Sequence, residues 1–177
     1  MKQRADYTVI ILTWNSRQHV RACLESLRDA APGYRGDVIV IDNGSTDGTP
    51  DIVRELVPDA RLVQNQVNRG VAAARNQGLA LARSPVSIIL DVDTVVQPGA
   101  FARLLSFLEA TPSVGVCGPR LVLPDDTIQA SCQSAPGQRS EAVHGRRART
   151  SMRRAVKARR AGSAASQSSH EIAESSS

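Results

Sequence analysis

The stretch V86-S87-I88-I89-L90-D91-V92-D93 decides the fold. Val86 to Leu90 reads as a buried strand, and two carboxylates follow directly behind it. If the chain stays extended, side chains alternate, so Asp91 and Asp93 point one way and Val92 the other. Like charges held on one side repel unless a cation or hydrogen-bond donors compensate them. Carboxylate oxygens suit Mg2+ or Mn2+, above all where phosphates complete the coordination shell. An isolated Asp-x-Asp is also what any solvated acidic loop looks like, so the neighbouring sequence has to decide.

Working outward, strand and helix patterns alternate over the first 123 residues. Tyr7–Thr13 is an apolar strand. Over 17–30, Val20, Cys23, Leu24 and Leu27 recur at helical spacing behind Ser16, a candidate N-cap. Asp37–Ile41 is a second buried strand. Thr49-Pro50-Asp51 then starts a helix with a hydroxyl, a proline and an acid in the order helix starts favour. Arg61–Gln64 is a short strand, Gly70–Ala82 an Ala-rich helix, and Pro98 opens a helix with Phe101, Leu104, Leu105 and Leu108 inward. Val114–Cys117 and Leu121–Leu123 are further strand candidates. This rhythm predicts an α/β fold, a mostly parallel sheet with helices on both faces. Ligands of such sheets bind beyond the strands' carboxyl ends. Three polar clusters fall there: Thr13-Trp14-Asn15, Asp42-Asn43-Gly44-Ser45-Thr46-Asp47, and Asp91-Val92-Asp93.

Composition divides the chain of 177 residues near Ser134. Residues 1–134 carry 13 basic and 14 acidic side chains, residues 135–177 carry 9 and 3, so the net charge of +5 belongs to the tail. With aromatics at 3%, the core must rest on Val, Ile, Leu and Ala. Residues 135–177, rich in Ser, Ala and Arg, lack the apolar area that would offset ordering entropy, and read as a disordered basic tail with a helix at most over 153–160. The tail has no interleaved aromatics, so nucleic acid is not an expected partner. Cys23, Cys117 and Cys132 have no metal-type spacing and read as free thiols. Val9–Leu12 behind Lys2 and Arg4 is too short for a signal peptide, and no run approaches the roughly 18 apolar residues of a membrane span.

Several single residues keep two readings. Asp42, at a strand end before an Asn-Gly-Ser turn, suits an imide N–H of a uracil or thymine base, or simply caps the turn. Asp47 reads as turn chemistry. Trp14 stacks on a base or packs in the core or at a rim. Arg69 or Arg75, with the amino end of the Ala-rich helix, face a diphosphate or the solvent. His19, His144 and His170 have no partners in sequence.

The ordered set VIILTWNSRQHVRACLESL (9–27), VIVIDNGSTDGT (38–49), NRGVAAARNQGLALA (68–82) and ILDVDTVVQPGAF (89–101) resembles inverting glycosyltransferase family 2. VGVCGPRLVLPDDTIQASC (114–132) is similar to its rhamnosyltransferase-like branch. The resemblance covers about residues 7–134 and implies a GT-A fold using a nucleotide-diphosphate sugar. It implies that Thr13 and Asn15 line the nucleotide pocket and Asp42 holds the base. Arg75 and Asn76 lie near the donor and Asp91 near the ribose or sugar, while Asp93 binds a divalent metal, Mg2+ or Mn2+. The implied acceptor is a glycan or lipid-linked glycan of cell-envelope polysaccharide synthesis. The implied location is the cytoplasm, at the inner face of the membrane, with peripheral association. The family's catalytic base belongs to an acceptor half downstream. After Ser134 the only acids are Glu141, Glu171 and Glu174, so the base is expected to be missing and the domain truncated after about residue 134. The competing expectation is a non-catalytic nucleotide-sugar-binding remnant.

Overall fold

The computed structural model describes residues 5–129 and the backbone of Lys157–Arg160. Its main sheet holds β1 (Tyr7–Thr13), β2 (Gly36–Asp42), β3 (Arg61–Gln64) and β4 (Val86–Asp91), all parallel, in the order β3-β2-β1-β4. The connections are α1 (Arg17–Ser26), α2 (Thr49–Leu56) and α3 (Val71–Leu81), as parallel pairing requires. A second sheet, order β5-β7-β6, joins β5 (Thr94–Val96), β6 (Arg120–Val122) and β7 (Lys157–Arg160). Between β5 and β6 runs α4 (Ala100–Ala110).

Alternation along the strands separates two cores. Tyr7, Val9, Ile11, Val40 and Leu90 face one way and pack with Val20, Cys23 and Leu24 of α1, Val53 of α2, and Phe101 and Leu105 of α4. Tyr7 and Phe101 meet edge to face, ring centroids 6.1 Å apart. Ile39 and Ile41 face the other way and pack under Ala74 of α3. Helices therefore cover both faces, as the sequence predicts. The α3 side is thin, and its helix lies close because it presents small residues. A Cβ on Gly78 would stand 2.3 Å from the Cγ2 of buried Ile10.

Four expectations need correction. Val114–Cys117 is not a strand; Val116 is 90% exposed, and no partner strand lies against it among the described residues. Thr94–Val96, unanticipated, is one. Val86–Leu90 is not buried throughout. β4 is an edge strand, only Leu90 is fully covered, and Ile89 is 47% exposed. Finally, Lys157–Arg160, expected within a disordered or helical tail, is a strand: it pairs parallel with β6 and antiparallel with β5, with Arg160 opposite Thr94. Cys132, the Ser-rich end, Glu141, Glu171 and Glu174 lie outside the described residues.

The close approach at Gly78 gives a test. Alanine there gains roughly 1 kcal/mol of helix propensity but overpacks against a β-branched side chain that cannot move aside, typically costing about 1–3 kcal/mol. Gly78→Ala is expected to lower the urea midpoint; an unchanged or raised midpoint would mean α3 sits farther from the sheet.

Candidate functional site

Parallel register brings the polar clusters to one edge: Thr13 is level with Asp42, and Leu12 with Asp91. Asp42 is 1% exposed, so its charge depends on donors supplied by the protein. Thr13 Oγ1 donates to Oδ1 at 2.9 Å, Ser45 Oγ to Oδ1 at 2.5 Å, and Ser45 N to Oδ2 at 3.0 Å. Ser45 Oγ in turn accepts Asn15 N at 2.8 Å, and Asn15 Oδ1 accepts Thr46 N at 2.9 Å. Asn15 sits at φ 47°, a left-handed conformation asparagine tolerates, and these two bonds hold it there. Trp14, between the two anchored residues, is 56% exposed. It is rim, not core.

A second carboxylate fastens the helices. Ser16 stands at the N-cap of α1, yet its hydroxyl bonds Trp14 O and Trp14 N instead of the helix. The cap comes from Asp47, whose Oδ2 accepts Arg17 N at 2.9 Å. Its Oδ1 accepts Thr49 N at 3.0 Å and Thr49 Oγ1 at 2.6 Å, at the start of α2. Burial pushes the Asp47 carboxyl up, but the Thr49 hydroxyl and the N–H groups of Arg17 and Thr49 outweigh it and hold the group below the usual carboxylate range. Asp47 is turn chemistry, as expected, serving two helices at once.

The Asp91–Asp93 segment differs from the expectation in one respect. The strand ends at Asp91, and Val92-Asp93 forms a tight turn into β5. Simple alternation thus does not carry through to Asp93. The turn is fixed from α1: Cys23 Sγ lies 4.0 Å from Asp91 O, and Ser26 Oγ accepts Val96 N at 3.0 Å. Val92 packs against the larger core. Cys23 is fully buried, and burial, then the charges of Asp93 and Asp91, push its thiol up to about 12. Both carboxylates are therefore close enough to be felt at one sulfur.

Arg75 reaches this turn from α3, with Nη2 2.6 Å from Asp91 Oδ1. Its Nε is buried and has no hydrogen-bond partner among the described residues. Asn76, the next residue round the helix, is exposed, and no hydrogen bond ties it to this group. The structure thus gathers Thr13, Asn15 and Asp42 into one bonded set and Arg75 and Asp91 into another at the same sheet edge, with Asp93 in the turn that follows, and leaves Asn76 outside both. Asn43 is the residue sequence reasoning passed over. It is 2% exposed and makes four side-chain hydrogen bonds to the β3–α3 loop. Its signal was its place beside Asp42 at a buried strand end.

Hard oxygen donors at Asp91 and Asp93 fit a divalent cation in kind. Among the described residues no three His, Cys, Asp or Glu side chains gather, so a cation held there would take its remaining ligands from water and the bound ligand. No described helix is long and apolar enough to cross a membrane.

Comparison with known proteins agrees with this geometry. The family model "Glycosyl transferase family 2" matches residues 8–165. That match runs past the composition change near Ser134. Among curated relatives, a putative glycosyltransferase, EpsH, of Bacillus subtilis is 32% identical over 100 residues, 55% of this chain and 29% of its own length. The N-acetylglucosaminyl-diphospho-decaprenol L-rhamnosyltransferase of Mycobacterium tuberculosis is 28% identical over 139 residues, 72% of this chain and 45% of its own. The chain thus spans less than half the length of these relatives. Among solved structures, a mannosyltransferase of Pyrobaculum calidifontis in complex with GDP-Man and Mn2+ superposes with a TM-score of 0.56 at 30% identity, covering 69% of this chain and 36% of that one. S. aureus TarS 1-349 in complex with UDP gives 0.56 at 23% identity, covering 67% and 35%. The expected GT-A arrangement is borne out.

Two outcomes follow from the site's bonding. Asp47→Asn weakens a carboxylate cap shared by two helices, expected to cost about 1 kcal/mol. Because the folded-state carboxyl lies low, its contribution is present above pH 3.8, the ordinary value, and fades as pH falls through the lowered one. Denaturant midpoints of wild type and variant should converge on acidification; a constant gap would deny the shift. Separately, iodoacetamide at pH 8 followed by peptide mapping should leave Cys23 unmodified until the protein is unfolded, while half-exposed Cys117 reacts. Labelling of native Cys23 would contradict its burial.

Proposed function

The chain belongs to glycosyl transferase family 2, and on that premise we propose that its sheet edge holds a nucleotide-diphosphate sugar for inverting, metal-dependent transfer to a glycan or lipid-linked acceptor. One observation carries the reading: Asp42 and Asp91 emerge from strands flanking β1, and Arg75 crosses from α3 onto Asp91. Thr13 and Asn15 line the nucleotide pocket, and Asp42 meets the base. Asp42 Oδ2 accepts one bond from Ser45 N and has lone-pair capacity left for a base N–H. Asp91 lies toward the ribose and sugar, and Arg75, with donors beyond its single ion pair, toward the diphosphate. Asn76 belongs to the same helix motif, on its exposed side.

Asp93 would hold the divalent metal, Mg2+ or Mn2+, with Asp91 beside it. The metal would supply neutralisation of the leaving diphosphate. The GDP-Man bound by the Pyrobaculum mannosyltransferase and the lipid-linked substrate in the name of the mycobacterial relative support the substrate class. They also favour a cytoplasmic site with peripheral access to a membrane-borne acceptor.

Inversion needs a base for the acceptor hydroxyl. Asp42 is bonded to Thr13 and Ser45, Asp47 to Arg17 and Thr49, and Asp91 to Arg75. These three carboxylates are committed to holding, which favours donor binding as their work and leaves the proton to another group. Donor binding without transfer is therefore the second reading.

Calorimetry with UDP, GDP and thymidine diphosphate in Mn2+ tests both. The wild-type chain should bind at least one, and Asp93→Ala should bind it at least tenfold more weakly, about 1.4 kcal/mol. Equal binding by Asp93→Ala would remove Asp93 from the site, and no binding by wild type would end the proposal. Release of the nucleoside diphosphate from a sugar donor in the presence of acceptor glycan separates transfer from binding alone.

A further inference from the structure

The β3–α3 loop, Asn65–Gly70, has almost no apolar anchorage; Val67 is one of its few large side chains and is exposed. Its position nevertheless decides where α3 begins, because Gly70 at φ 81° is the residue from which the helix starts. Asn43 anchors it. Oδ1 accepts Asn65 Nδ2 at 3.1 Å and Arg69 N at 3.0 Å; Nδ2 donates to Asn68 Oδ1 at 2.7 Å and to Gly70 O at 3.5 Å. Both donors and both acceptor positions of the amide are used. Asn43 N itself donates to Thr13 O at 2.8 Å, continuing the β1–β2 ladder, so this side chain is planted on the stiffest part of the sheet.

The next residue repeats the message by shape. Gly44 has φ 85°, and a Cβ there would press on the Val67 backbone at 3.2 Å and on Asn65 O at 3.4 Å. The loop lies directly on Gly44 while Asn43 ties it down. Asn65 Nδ2 also donates to Gln77 Oε1 at 3.1 Å, linking the loop to the second turn of α3. Arg75 is on that turn.

We propose that Asn43 is a positioning residue of the donor site: it fixes the β3–α3 loop, hence the register of α3 on the sheet, hence the guanidinium of Arg75 at Asp91. This rests on the donor-site reading given above. Asn43 need not touch the donor. Its effect travels through one loop and one helix, both held by bonds that can be removed singly.

The test uses the whole chain and two readouts. In the ligand-free protein, Asn43→Ala should speed amide exchange at Arg69, Gly70 and Ala74 and leave β1 and β2 protected. In calorimetry with whichever of UDP, GDP or thymidine diphosphate binds wild type in Mn2+, Asn43→Ala should weaken binding about tenfold. The same change in an Arg75→Ala background should cost less than twofold, since the lever's end is gone. Asn43→Asp keeps the acceptor for Arg69 N and Asn65 Nδ2 but sets a carboxylate oxygen against Asn68 Oδ1 and Gly70 O, so it should recover only part of the affinity. Unchanged exchange in the loop, exchange raised equally throughout the sheet, or an equal loss with and without Arg75 would each overturn the proposal. If wild type binds none of the diphosphates, the donor reading fails, and the exchange experiment still decides whether Asn43 sets the loop and helix. Should Asn43→Ala not fold, Asn68→Ala reads the same loop by removing one acceptor.

Discussion

A buried carboxylate at the end of a central strand governs this molecule. Asp42 cannot be solvated by water where it sits, so the chain must deliver donors to it. Thr13 comes from β1, and Ser45 from the turn that follows Asp42 itself. The two loops cannot separate without stranding the charge, a cost of several kcal/mol in a dry environment. Asn15 is then drawn in through Ser45, and Thr46 through Asn15. A pocket floor built from loops is in this way nearly as fixed as the strands beneath it.

The two other elements of the edge are held by different means. α1 and α2 are fastened at their starts by one acid, Asp47, which binds where the helix dipoles are positive. α3 has no acid in its first turn and no side-chain cap. It is located by shape at Gly78 against Ile10 and by the amide of Asn43. Arg75 therefore depends on packing and neutral hydrogen bonds, softer restraints than those on Asp42. The part of the site that reaches across the sheet is the part most easily moved.

The sequence carried the sheet well because central parallel strands write themselves as apolar runs: Tyr7–Thr13 has the predicted ends, and so does the short, half-buried edge strand Arg61–Gln64. Three segments misled. Val86–Leu90 is as apolar as β1, but apolarity cannot say whether a strand is central or at an edge. Val114–Cys117 has the composition of a strand but finds no partner among the described residues. Lys157–Arg160 has a helix-forming composition, and pairing with β5 and β6 overrides it, as tertiary context does for weak propensities. At the site, Asp42 and the Asp91 turn were legible from their place after strands. Asn43 was not, since an asparagine in an Asn-Gly turn has a sufficient local explanation; only the approach of a loop more than twenty residues away shows its amide to be fully used. Ser16 was legible as a position but not as a bond, because the cap that replaced its hydroxyl comes from Asp47.

The charges at the far end of the edge constrain what it can hold. Asp91 and Asp93 share one turn, and both act on the buried thiol of Cys23. Arg75 offsets one of them through Asp91. A diphosphate brought to this edge meets both carboxylates, and that repulsion would be relieved by a cation arriving with it or by Arg75 turning from Asp91 toward the ligand. The second route alone would restore the repulsion between the two acids. The two routes therefore favour acting together: a divalent ion held by the acids would free the guanidinium. On the proposed reading, metal and nucleotide should then bind with positive coupling, and Arg75 is the side chain through which that coupling would pass.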